Sequence, residues 1–205
     1  MIQVITDFPI AYESHDHLDP KGTRVDNTHK PEFVQRVNEL AGGNKIMIAD
    51  LGCSGGGLVK DFLDDGHEAV GIEGSDYSLK AQRAEWATIP NNLFTADITK
   101  PFFIVKEGNV TGVCDIITAW DVLEHIPELD ISGLISNIRN NLKMGGMFIC
   151  SVATFLDEPH HVTLRPSEWW LKEFAKYKMY PTTESHFEES QMVRKSSFYL
   201  TLIKG

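Results

Sequence analysis

At 205 residues, with 42% apolar and 23% charged side chains, the chain is long enough to bury one full core and has an ordinary globular composition. Its 29 acidic residues outnumber 19 basic ones, and the resulting net charge of −10 repels a long nucleic acid over most of the surface. No run approaches the ~20 apolar residues of a membrane span. The first residues carry no secretory signal, and Cys53, Cys114 and Cys150, with no C-x-x-C among them, are expected as buried reduced thiols of a cytoplasmic protein.

Residues 1–30 show no sustained period and are rich in His, Asp, Pro and Thr, so they are read as an irregular arm. Pro31 then starts a helix through Leu40, and the glycines of "AGGNK" end it. "KIMIADL" is a first core strand, "LVKDFLDDG" a short helix closed by Gly66, and "EAVGIEG" a second strand. "SDYSLKAQRAEWA" is read as one helix capped by Ser75 and Asp76, "NNLFTAD" as a third strand and, after a loop, "CDIITAWD" as a fourth. "ISGLISNIRNNLKMGG" is helix then stop, "GMFICSVAT" a fifth strand and "RPSEWWLKEFAKYK" a last helix. "SSFYLTLIKG" is a terminal strand whose antiparallel partner is expected near 183–187. Short apolar runs separated by helices indicate βαβ units, a parallel sheet covered on both faces and one α/β domain over 1–205. Within it, 1–44 form the arm and first helix, 45–154 the cofactor-binding core, and 155–205 the substrate-side helix and antiparallel strands.

In "KIMIADLGCSGGGLV" a buried strand ends on Asp50 and runs into glycines at 52, 55, 56 and 57. The loop lies at the carboxyl edge of the sheet, where ligands of open α/β folds bind. Glu73 ends the second strand, 23 positions after Asp50, and a carboxylate there suits the two hydroxyls of a ribose. Asp97, at the end of the third strand, is placed to reach an adenine amino group. A nicotinamide fingerprint would need glycine where Ser54 stands, and Asp50 would repel its pyrophosphate. The acid suits a ligand with a positive amino group and no phosphate, such as S-adenosylmethionine.

"DLGCSGG" resembles the first motif, D/E-x-G-x-G-x-G, of class I S-adenosylmethionine-dependent methyltransferases of the small type 11/12-like kind. "GIEGSD" resembles their second motif, "ADI" at 96–98 their adenine site, "DIITAWDVLEHI" their fourth strand and the helix after it, and "LKMGGMFICSV" the next helix-turn-strand. The resemblance implies a Rossmann-like, seven-stranded, mostly parallel sheet with an antiparallel C-terminal strand. It implies that Asp50 and Gly52 face the methionine end of the cofactor and that Ser54 and Gly56 shape the loop. Glu73 would take the ribose, Asp97 and Ile98 the adenine, and Trp120 would cover the cofactor.

Asp121, Glu124 and His125 stand at i, i+3 and i+4, and share one face if "DVLEHI" is helical. His160 and His161 follow the fifth strand, beside them. Asp121, Glu124, His125 and His161 form a candidate divalent-metal site; it resembles that of small-RNA 2′-O-methyltransferases, while "VLEH" also resembles ubiquinone-biosynthesis O-methyltransferases. His125, His160 and His161 are equally candidates for a metal-free general base. The arm's His15, Asp16, His17 and Arg24 are expected to close over the site, Arg24 holding a carboxylate or phosphate. Of Trp169 and Trp170, one ring is expected in the core and the other at the pocket or surface. The combined expectation is methyl transfer to a small acceptor, with a sugar or metabolite hydroxyl preferred. The alternatives are an RNA ribose methyltransferase, a non-catalytic cofactor-binding partner subunit and, last, a nicotinamide oxidoreductase. No feature of the sequence assigns an oligomeric state.

Overall fold

The computed structural model describes residues 2–182, 187 and 197–205. The chain opens on β1 (Ile2–Thr6) and makes one helical turn, α1 (His15–Leu18), where the Ser14 hydroxyl accepts from the His17 N–H. Pro31 begins α2 (Pro31–Leu40), at a position where its missing N–H costs nothing. Next come β2 (Met47–Leu51), α3 (Gly57–Asp64), β3 (Glu68–Glu73), α4 (Tyr77–Ala81) and β4 (Leu93–Thr95). They are followed by β5 (Phe102–Lys106), β6 (Cys114–Trp120), α5 (Ile131–Asn141) and β7 (Leu142–Ala153). The chain finishes with α6 (Ser167–Ala175), β8 (Met179–Pro181) and β9 (Ser197–Lys204).

Seven strands form one sheet in the order β4-β3-β2-β6-β7-β9-β8. The first five are parallel, and β9 runs antiparallel to both of its neighbours. Strand order reverses at β2, with β3 and β4 on one side and β6 and β7 on the other, which opens a crevice beyond the carboxyl ends of β2 and β6. Side chains alternate faces along the buried strands. Met47, Ala49 and Leu51 join a cluster with Ile138 of α5 and Phe174 of α6, whereas Ile48 joins Phe33 of α2 and Phe62 of α3. With helices on both faces, β2 is buried at every residue and β3 at all but its first, and both read as near-continuous apolar runs.

Three sequence expectations need correction, and a fourth falls almost wholly outside the described residues. The arm is not irregular from its start: β1 pairs antiparallel with β5, from Ile2 opposite Lys106 to Thr6 opposite Phe102, in a separate two-stranded sheet. The helix expected over 75–87 breaks after Ala81, with left-handed backbone at Gln82 and Ala84 (both φ 49°) and a 3₁₀ turn at Ala84–Ala87. The "LKMGG" segment is not helix: Leu142 pairs with Cys114 and pairing resumes at Met147 opposite Ile116, so the glycines bulge out of β7. The partner of β9 is β8, and the expected 183–187 lies, apart from buried Phe187, outside the described residues. All three cysteines are buried and free. No helix among the described residues is long and apolar enough to cross a membrane.

Candidate functional site

After β2 the backbone turns through Gly52 (φ 71°), Ser54 (φ 47°) and Gly56 (φ 90°) before entering α3. This left-handed region is open to glycine at no steric cost, and at Gly52 any side chain would also strike Val122, in the turn after β6. Ser54 bears the same conformation with help: its Oγ donates to Asp26 O at 2.9 Å and accepts from Arg83 Nη2 at 3.0 Å. Its carbonyl accepts from Trp86 Nε1 at 2.8 Å, and Glu85 N–H donates to Gly55 O. Those bonds draw the 84–87 turn onto the loop and account for the broken helix.

Asp50 is buried near the end of β2 and accepts from Thr118 Oγ1 of β6 at 2.6 Å. Burial pushes its carboxyl up to about 7, against the opposing pull of the Thr118 bond and of Lys30. Asp50, Gly52, Cys53, Leu58, Trp120 and Lys30 are among the residues lining a cavity of about 30 Å³, room for about one water. Lys30 Nζ sits 4.4 Å from the centre of the Trp120 ring.

Glu73, also buried, accepts from Ser54 N at 2.8 Å and Ser75 N at 3.1 Å, and burial raises its carboxyl against the pull of these bonds. Each of its oxygens keeps a second lone pair. Asp97 Oδ1 accepts from the N–H and hydroxyl of Thr99 at 2.9 and 2.6 Å. The Ile98 side chain is in the core, so only its backbone can meet a ligand. The N-terminal arm crosses this edge: Phe8 O accepts from Asp97 N, Ala11 N donates to Gly74 O, and a side chain on Gly55 or Gly57 would collide with Asn27 or the Thr28 carbonyl.

Beyond β6, Asp121 takes a positive φ of 51° and Leu123–His125 form a 3₁₀ turn, so the helical face expected for Asp121, Glu124 and His125 does not exist. Asp121 Oδ1 instead accepts from Ser151 Oγ at 2.6 Å and Ser197 Oγ at 3.1 Å. Glu124 is fully buried; Oε1 accepts from Ala153 N at 3.0 Å, while Oε2 has no hydrogen-bond partner among the described residues. Burial pushes its carboxyl up to about 7, against the pull of His125. The His125 and His161 rings meet edge-on at 4.8 Å, and one potential ligand atom from each of Glu124, His125 and His161 lies within 4.8 Å of the others. His161 Nδ1 is 2.7 Å from Phe155 O. His125 Nδ1 is 2.9 Å from Asp16 Oδ2, without a well-aligned N–H···O bond. Burial pulls the His125 pKa down, but Asp16, Glu124 and Asp121 outweigh it and the pKa is raised. His160 also meets the His125 ring edge-on, at 6.5 Å, with its Nε2 3.0 Å from Asp19 O. All three expected histidines meet around His125, and only His161 joins it and Glu124 in the close trio; of the expected metal set, Asp121 stands outside that trio.

Residues 27–190 match a family described as a methyltransferase domain. The chain belongs to this methyltransferase family. It is similar to a ubiquinone biosynthesis O-methyltransferase of Nitrosomonas europaea, 24% identical over 174 residues that cover 81% of this chain and 72% of the relative. An S-adenosylmethionine-dependent methyltransferase from Clostridium acetobutylicum shares the fold, with a TM-score of 0.65 at 15% identity over 95% of this chain and 96% of that one. So does the 1,6-didemethyltoxoflavin N1-methyltransferase of Burkholderia thailandensis, solved with its acceptor and S-adenosylhomocysteine, with a TM-score of 0.59 at 15% identity over 92% and 84%. The protein is an S-adenosylmethionine-dependent methyltransferase, which sets aside the nicotinamide reading.

The groups in the crevice of the methyltransferase fit that cofactor chemically, with an acid and a cation at one end and acids at the ends of β3 and β4. Asp26, Thr28 and Lys30 of the arm side line the cavity at the end of β2, and a second, open cavity of about 510 Å³ lies beyond the end of β3, lined by Arg24, Ser75, Asp76 and Tyr77 among others. Sequence reasoning missed Lys30 and Thr118. Lys30 carried a signal, because a cation just before Pro31 stands at the helix end that the dipole disfavours. Arg24 lies 3.7 Å from Asp19 and 5.6 Å from the Tyr77 ring centre. Trp170 is in the core, and Trp169 is half-buried beneath Arg165.

Proposed function

We propose that the methyltransferase, taken as one domain over 1–205, methylates a hydroxyl oxygen of a small acceptor, a sugar or similar metabolite. Asp50 and Lys30 hold the amino-acid end of the cofactor, Glu73 the ribose, and Asp97 with the Ile98 backbone the adenine. Gly52, Ser54 and Gly56 shape the loop beneath it, and Trp120 covers it. When bound, the cofactor supplies a methyl group on a positively charged sulfur.

The observation that carries the reading is the trio of Glu124, His125 and His161 close to the carboxyl ends of β6 and β7. Asp121 and Ser151, on the same two segments, line the cavity at the end of β2. An acceptor between trio and cavity has its oxygen facing the methyl carbon. The oxygen forms its new bond as the carbon–sulfur bond breaks, and the hydroxyl proton leaves toward the trio. Alignment supplies much of the rate in such a displacement. The O-methyltransferase named among the relatives supports oxygen as the atom, and the net charge of −10 favours a small acceptor over an RNA end.

The test follows transfer of labelled methyl from S-adenosylmethionine to a panel of sugar nucleotides, free sugars and hydroxylated aromatic compounds. An O-methyl product is expected. His161→Asn should lower kcat by about 10²-fold, the usual scale for losing proton-transfer assistance, whereas His160→Asn stays within about threefold of wild type. An N- or S-methyl product, or full turnover by His161→Asn, sinks the reading.

A further inference from the structure

The trio also presents what a buried carboxylate ordinarily lacks: an oxygen without a hydrogen-bond partner among the described residues. Glu124 is fully buried, one oxygen is tied to Ala153 N–H, and the other, Oε2, has no partner among the described residues. An unpaired buried carboxylate is costly, and a cation removes that cost.

The two imidazoles are set for the same occupant. His161 Nδ1, 2.7 Å from the Phe155 carbonyl, must carry the hydrogen, which leaves a lone pair on Nε2. His125 Nδ1 faces the Asp16 carboxylate at 2.9 Å, which favours the hydrogen there and again frees Nε2. An imidazole whose far nitrogen is held by a carboxylate or carbonyl is the usual outer arrangement of a metal-bound histidine. The frame is tied down as well: Val162 N and Thr163 N both donate to Glu124 O, and Thr163 Oγ1 donates to Ile126 O at 2.7 Å. The turn carrying Glu124 and His125 is thereby fastened to the segment carrying His161.

We propose that Glu124 Oε2, His125 Nε2 and His161 Nε2 form a divalent-metal site, with Asp16 of the arm as the positioning residue for His125. Two nitrogens and one oxygen suit Mn²⁺, Fe²⁺ or Zn²⁺ better than Ca²⁺. Bonds of ~2.1 Å put adjacent octahedral ligands ~3 Å apart, so three residues that already bring one potential ligand atom each within 4.8 Å of the others close by side-chain rotation. Asp121, held by Ser151 and Ser197, is not a ligand. The remaining positions on the ion take oxygens of the acceptor, which narrows the proposed acceptor to one with two neighbouring oxygens; with both Nε2 atoms on the ion, the acceptor hydroxyl, made more acidic by it, gives its proton to water instead of to the histidines. That last step rests on the function proposed above; the metal site itself does not.

Mn²⁺ and Zn²⁺ titrations followed by calorimetry, with spin-resonance detection of nitrogen coupling to Mn²⁺, test the site without any acceptor. S-adenosylhomocysteine binding is measured on the same samples to report the cofactor reading and the fold separately. The wild type should bind one ion per chain, and Mn²⁺ should show coupling to two imidazoles. Glu124→Gln and His161→Gln should each weaken binding at least tenfold, and Asp16→Asn about tenfold, while S-adenosylhomocysteine affinity stays within about twofold. No binding at millimolar Mn²⁺ or Zn²⁺ by protein that binds S-adenosylhomocysteine, or binding unaffected by these variants, overturns the proposal.

Discussion

The two sides of the crevice are built differently. On the cofactor side, β2, β3 and β4 are consecutive parallel strands, and Asp50, Gly52, Glu73 and Asp97 each lie at or just beyond a strand end. On the acceptor side, Asp16 comes from the arm, Glu124 and His125 from a 3₁₀ turn, and His161 from the segment after β7. The first is an arrangement of backbone, in which each residue's place follows from the strand it terminates. The second is an arrangement of side chains from three distant segments, and no period in the sequence specifies how they meet.

That contrast predicts that the largest single effect comes from backbone on the cofactor side. Gly52→Val places a β-branched residue at φ 71° and drives it into Val122. Strain and overpacking together cost about 2–5 kcal/mol, and the collapsed turn should weaken S-adenosylhomocysteine binding by more than about 100-fold. Calorimetry and thermal unfolding check both. Near-native affinity would mean that the loop is more pliant than its backbone angles indicate.

A smaller effect, graded with pH, belongs to Asp50. Burial raises its carboxyl from 3.8 to about 7 in the free protein, so it is protonated below that pH. With Asp50 holding the cofactor's ammonium group as proposed, affinity for S-adenosylhomocysteine should rise about tenfold per pH unit up to about 7 and then level off. Asp50→Asn should lose that slope. The sign for stability is opposite. Because the folded pKa exceeds the unfolded one, the folded state binds more protons between these values. Asp50's contribution without ligand is full below about 4 and is lost as pH rises through about 7. A binding slope that survives in Asp50→Asn would move the titration to another group.

The same contrast governs what could be read in advance. The parallel pairing of the core strands and the fold's two covered faces follow from alternating short apolar runs and helices, and the glycine loop from residues that tolerate left-handed backbone. β1 was missed although "IQVIT" alternates, because its partner β5 lies ~100 residues away in sequence and a lone five-residue strand is a weak signal. The helical face proposed for Asp121, Glu124 and His125 failed for a local reason, the positive φ at Asp121 followed by a 3₁₀ turn, which spacing alone does not reveal. That His161 rather than His160 joins Glu124 and His125 in the close trio depends on carbonyls at Phe155 and Asp19, acceptors that every residue type supplies equally.

The smallest predicted effect asks whether the cofactor side really owes its shape to backbone alone. Trp86 Nε1 donates to Ser54 O at 2.8 Å from the turn that interrupts the expected helix, and the ring is buried against the face formed by α2 and α3. Trp86→Phe keeps an aromatic body but removes the donor and leaves the Ser54 carbonyl without it. The loss should be about 1–2 kcal/mol, a fall in the unfolding midpoint of roughly 2–8 °C at 2–4 °C per kcal/mol for a chain this size. S-adenosylhomocysteine affinity should drop by a few-fold, because Ser54 then keeps its left-handed conformation with Asp26, Arg83 and Glu73 but without the bond to its carbonyl. If the midpoint falls and the affinity does not, the loop is preorganised by its own backbone. If the affinity falls by more than about tenfold, the cofactor side depends on distant side chains as much as the acceptor side does.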